Sequence, residues 1–116
     1  MTYKDVNTMI SSIGIPYAYN QFSEDDGQVP PFICFLYDSA SNDLMADNIN
    51  YQPIRPLTIE LYTDNKDFAL EATVESVLKA HELPFTRQET YLDSEQMFMI
   101  IYDCQIILTE EENNNG

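Results

Sequence analysis

Basic residues are what this sequence has least of. Five lysines and arginines stand against twenty aspartates and glutamates, a net charge of −15. So few cations exclude ordinary nucleic-acid binding, which needs Lys and Arg to displace counterions from phosphates, and they argue against anionic membrane surfaces. Histidine occurs once, as His81, so any Ser-His or Cys-His nucleophile would depend on that single imidazole. Three glycines leave no phosphate-cradling loop. No run of about eighteen apolar residues is present, so no transmembrane helix is expected. The two cysteines, Cys34 and Cys104, lie far apart in apolar stretches, without CxxC spacing or neighbouring histidines. They are expected to be reduced core residues rather than metal ligands. Met1 to Asp5 lacks a basic region followed by an apolar run, so no secretory signal is expected and synthesis in the cytoplasm follows.

The chain that is present centres on residues 54–85. Leu57 to Tyr62 alternates aliphatic with other residues, the period of a strand buried on one face. Thr63 to Asp67 supplies turn and N-cap residue types. From Phe68 the period becomes helical: Leu70, Val74, Val77, Leu78 and His81 share a stripe, while Glu71, Glu75, Lys79 and Glu82 are expected to face away. Leu83-Pro84 stops this helix of about 17 residues. Its length is enough to carry the chain back across a sheet, so a strand from Phe85 is expected parallel to the first in a right-handed crossover.

The remaining segments add to that unit. Thr2 and Asp5 suit the cap of a first helix, with Val6, Met9, Ile10 and Ile13 on its buried face and Gly14 at C′. A short strand is expected over Pro16 to Phe22, with Tyr17 and Tyr19 on one side. Ser23 to Gln28 is an acidic loop that lacks the alternate spacing and terminal Glu of a calcium site. Phe32 to Tyr37, apolar on both faces, suits an inner strand. Asp38 to Gln52 has no periodicity, yet places Leu44 and Met45 among the acids Asp43 and Asp47, so these apolar residues either tuck under the domain or meet a partner. The prolines at 53 and 56 suggest that the central strand starts incompletely paired. Phe85 to Leu92, polar on both faces, suits an edge strand. Met97 to Leu108, with Phe98, Ile100, Tyr102, Cys104 and Ile106 on one face, should lie inside the sheet.

The expected fold is α+β. It is a mixed, mainly antiparallel sheet of about five strands with two helices packed on it, one in a β-α-β crossover. Residues 1–109 form one domain, and residues 110–116 form a disordered acidic and asparagine-rich tail. His81 is expected to pack near its helix end rather than catalyse. No carboxylate sits in a stretch that suggests a desolvated pocket. No enzyme activity, metal or cofactor is expected. The acidity itself fits three roles: solubility alone, a surface that DNA slides past, or a surface that imitates DNA.

The element order resembles a known family, and so does the wording of Ile15-Pro16-Tyr17-Ala18-Tyr19, of Pro30-Pro31-Phe32-Ile33-Cys34-Phe35-Leu36-Tyr37, and of Ile59 to Asp67. The chain is similar, from about Thr2 to Leu108, to the tail terminator (tail completion) proteins of long-tailed phages of Gram-positive bacteria. The resemblance implies a six-fold ring that caps the tail tube and docks the head connector in the virion tail. DNA would pass through the ring without being bound. Residues 38–52 correspond by position to loops that such rings use for contacts. Leu44 and Met45 are therefore the expected interface pair, and Asp43 and Asp47 the expected lumen-near acids. The family supplies no catalytic residues. The competing expectations are a DNA-mimic inhibitor and a small protein-binding adaptor.

Overall fold

The computed structural model describes residues 1–23, 27–38 and 54–109. The described elements are α1 (Tyr3–Ser11), β1 (Tyr17–Tyr19), β2 (Phe32–Tyr37), β3 (Ile54–Thr63), α2 (Phe68–Ala80), β4 (Phe85–Leu92) and β5 (Met97–Ile107). The strands form one sheet in the order β1-β2-β3-β5-β4. Among the described strands β1–β2 is parallel, while β2–β3, β3–β5 and β4–β5 are antiparallel. The α+β class and the mainly antiparallel sheet are thus as expected. Because β3 and β4 both run against β5, they run parallel to each other, and α2 connects them across the intervening strand.

Register explains the core. Ile33 pairs with Leu61 and Leu61 with Ile100, while Phe35 pairs with Ile59 and Ile59 with Tyr102, so these residues share one face. Both helices cover that face. Val6, Met9 and Ile10 of α1 and Val74 and Leu78 of α2 join the sheet residues in one buried cluster. Each such side chain contributes about 2 kcal/mol of burial. The opposite face presents Phe32, Cys34, Leu36, Thr58, Glu60, Tyr62, Met99 and Ile101, and among the described residues no helix covers it.

The helix ends follow local chemistry. Thr2 and Asp5 form a reciprocal capping box, with Thr2 N donating to Asp5 Oδ2 at 2.9 Å and Asp5 N donating to Thr2 Oγ1 at 3.0 Å. The first of these bonds holds the Asp5 carboxyl below its usual range. Gly14, expected at C′, lies two residues beyond the C-cap Ser12 and takes φ +94°. Asp67 caps α2, accepting from Leu70 N at 3.0 Å.

The second helix is shorter than its periodicity suggests, 13 residues rather than about 17. Glu82 enters the left-handed region at φ +59°. Its N–H reaches Lys79 O at 2.9 Å, and Leu83 N reaches Leu78 O at 3.0 Å. These are the two bonds of a Schellman stop, here without glycine. The chain therefore leaves the helix before Pro84 can terminate it.

Other differences have similarly local causes. The first strand stops at Tyr19 rather than Phe22, because Asn20 takes φ +69°. β3 is paired with β5 from Ile54 onward, whereas its pairing with β2 begins only at Leu57. Incomplete pairing of its start therefore holds on one side alone, the side where Asp38 N instead bonds Pro56 O at 3.1 Å. β4 is an edge strand and β5 an inner one, as their polarity patterns implied.

Candidate functional site

Leu44, Met45, Asp43 and Asp47 lie outside the described residues, as do the acids 24–26 and the tail 110–116. The candidate surfaces in the described part are the two ends of the sheet and its uncovered face.

At the β1 end, three tyrosines from three elements meet. Tyr3 of α1 contacts Tyr37 of β2 edge-on at 4.9 Å, and Tyr19 of β1 stacks on Tyr37 at 5.8 Å. Tyr19 and Tyr37 share a face because β1 runs in register with β2, placing Tyr19 beside Phe35. The Tyr19 hydroxyl accepts the Tyr37 N–H at 3.2 Å, and Arg55 lies 5.9 Å over the Tyr37 ring. Burial, with Tyr3 and Tyr19 nearby, pushes the Tyr37 hydroxyl up to about 12. Tyr3 is nonetheless 46% exposed and Tyr19 53% exposed.

At the β4 end a second aromatic group forms from different residues. Tyr91 of β4 contacts Phe98 of β5 at 4.9 Å. Lys66 lies 4.9 Å over the Phe68 ring and 6.0 Å over that of Phe98. Phe68, the first residue of α2, is 72% exposed, and Tyr91 is 46% exposed. Large aromatics are thus left open at both ends of the sheet. Nothing in the one-dimensional pattern pointed to Phe68 or Tyr91, since both occupy positions compatible with a buried face.

Between that end and the core lies an ion network that corrects two sequence expectations. Glu71 was expected to face solvent, with no carboxylate desolvated; it is only 3% exposed. It binds Arg87 through Oε1 and Lys66 through Oε2, the latter at 2.7 Å. Arg87 also reaches Glu75 and Glu89, each at 3.3 Å, and Lys66 reaches Glu89 at 2.6 Å. Glu75, likewise expected to face away, accepts the Tyr102 hydroxyl at 3.0 Å. Burial works against the Lys66 charge, but bonds to Glu71 and Glu89 outweigh it and hold its ammonium above the usual lysine range. The Lys66 bond holds the Glu89 carboxyl below its ordinary value. The physical reason for the correction is pairing: a buried carboxylate is tolerated when cations and hydrogen bonds replace water.

His81 also departs from expectation. It is exposed as the C-cap of α2 rather than packed on the apolar stripe, with Nδ1 2.9 Å from Val77 O. The two thiols behave as expected: Cys34 and Cys104 are free and buried. Burial pushes the Cys104 thiol up to about 11 and raises that of Cys34.

On the uncovered face, the Thr58 hydroxyl lies 3.1 Å from Asp38 Oδ2 and 2.9 Å from Asp103 Oδ1, donating to one carboxylate at a time. Among the described residues no helix is long and apolar enough to cross a membrane. No family model, no curated protein and no solved structure matches the chain.

Proposed function

We propose that this protein is a structural subunit of a phage tail. Copies join head to tail into a closed ring that terminates the tail tube and meets the head connector, and an acidic surface lets DNA pass without holding it. The observation that carries this reading is the pair of unlike aromatic patches at opposite ends of one sheet: Tyr3, Tyr19 and Tyr37 at β1, and Phe68, Tyr91 and Phe98 at β4. Four strand spacings of about 4.8 Å set them roughly 19 Å apart across the sheet, and the register offsets them further along the strands. Two different patches on one subunit favour a heterologous contact, which closes into a ring when its rotation permits. The resemblance to tail terminators supports the same assembly, and the charge of −15 supports passage of a polyanion.

The test is assembly of the protein alone and with its tube protein, read by native mass and negative-stain imaging. Tyr19→Asp and Phe68→Asp, both at exposed positions, should each abolish rings while retaining the fold. Mixed together, the two variants should form a dimer that cannot extend, because each keeps one intact patch. Monomers under all conditions, or variants that assemble like the parent, would refute the ring.

The DNA-mimic alternative is less favoured. Glu71, Glu75 and Glu89 are engaged with Lys66 and Arg87 rather than displayed as free charges. The adaptor alternative draws support from the uncovered sheet face.

A further inference from the structure

The sheet face opposite the helices holds a cavity of about 580 Å³, within the range of roughly 300–1,000 Å³ usual for ligand sites. Phe22, Phe32, Tyr62 and Met97 line it together with the carboxylates of Glu60 and Glu95. Phe32 and Tyr62 are cross-strand partners on β2 and β3, and their rings stack at 4.8 Å with planes 24° apart. Phe22 meets Phe32 edge-on at 5.4 Å.

Glu60 lies two residues before Tyr62 on the same face, and its Oε1 accepts the Tyr62 hydroxyl at 2.9 Å. Burial, then Glu60, with a contribution from Glu95, holds that hydroxyl well above its ordinary value. Glu60 and Glu95 thus both line the cavity that the aromatic rings wall.

Among the described residues that line the cavity there is no lysine or arginine. The chain's own arginines lie elsewhere: Arg55 over the Tyr37 ring, and Arg87 in the α2–β4 ion network. The negative charge here is thus left for a cation from outside the chain.

We propose that this cavity binds the guanidinium of an arginine presented by a partner protein, stacked on the Phe32–Tyr62 pair and paired with Glu60 and Glu95. Arginine suits it better than lysine, because a planar guanidinium stacks on aromatic faces while donating in a fork to carboxylates. A second copy of this chain is the poorer occupant, since its Arg87 is held in the ion network and like charge repels two such faces. The proposal stands apart from ring formation, which uses the ends of the sheet.

The test is an NMR titration of the whole protein with N-acetyl-arginine methylamide, compared with its lysine and uncharged citrulline counterparts. Saturable shifts are expected at the Phe22, Phe32 and Tyr62 rings, with citrulline at least about tenfold weaker and lysine several-fold weaker. Glu60→Gln and Glu95→Gln should each weaken arginine binding at least about fivefold. Glu95 sits in an exposed turn, so that variant reads the site without disturbing the sheet. Glu82→Gln, at the exposed end of α2, should leave binding unchanged. Equal response to citrulline, or equal loss in Glu82→Gln, would overturn the site, the latter by showing only general attraction to an acidic surface. Equal binding of lysine would overturn the assignment to guanidinium.

Discussion

Replacing Arg87 with Met is the sharpest probe of how α2 is held to the sheet. The guanidinium contacts Glu71, Glu75 and Glu89, but Glu71 decides the outcome, because its side chain is only 4% exposed. Removing one partner of a fully buried pair costs about 3–5 kcal/mol, since the other charge is stranded away from water. Two features reduce that here. Lys66 still holds Glu71 Oε2 at 2.7 Å, and the Arg87 side chain is 35% exposed, so solvent already screens its outer contacts. About 2 kcal/mol is the expected loss.

With a urea m-value of about 1–3 kcal/mol/M, that loss moves the unfolding midpoint by roughly 1 M. The assay is urea unfolding followed by far-UV circular dichroism. Glu71→Met should also destabilise. The Glu71→Met/Arg87→Met pair should cost less than the sum of the singles by about 1–2 kcal/mol, as coupled neighbours do. A midpoint for Arg87→Met within about 0.2 M of the parent, or strictly additive costs, would refute the view that a buried carboxylate depends on this cation.

Tyrosine ionisation gives a second prediction, since the chain has eight tyrosines and no tryptophan. Burial raises Tyr37, Tyr62 and Tyr102. A raised folded value stabilises fully below the unfolded value near about 10 and is lost as pH climbs through the folded value. Stability should therefore fall from about pH 10 to 12, and tyrosinate absorbance at 295 nm should show a lagging group released on unfolding; a single uniform titration near pH 10 would contradict this. The thiols provide a third: Cys104 and Cys34 should resist a disulfide reagent at pH 8 in the native state and react together in denaturant. Rapid native labelling of Cys104 would show that its strand opens readily.

The inner strands were legible because their chemistry is one-dimensional. Leu57, Ile59 and Leu61 alternate, and so do Ile100, Tyr102, Cys104 and Ile106, and a period of two assigns them to one face. Thr2 and Asp5 were legible because a capping box is local. Glu71 was not. Its partners Lys66 and Arg87 come from a turn and a different strand, so the pairing that permits its burial is tertiary. Helix length failed at Glu82, because a left-handed stop without glycine leaves no compositional mark. The aromatic patches were invisible for a related reason: Tyr19, Phe68 and Tyr91 have core-forming chemistry, and only the order of the strands puts them at the rims.

The placement of β5 between β3 and β4 has a consequence for how the protein is made. On the ribosome, β3, α2 and β4 emerge before Met97 to Ile107, yet neither β3 nor β4 pairs with the other. Until β5 arrives, the nascent chain offers the inner edge of β3 with nothing to bind, together with Ile59 and Leu61 half-covered. The domain is therefore completed from its middle, by the last of its described strands to be translated, and premature termination before Met97 should yield aggregating fragments rather than a smaller folded unit.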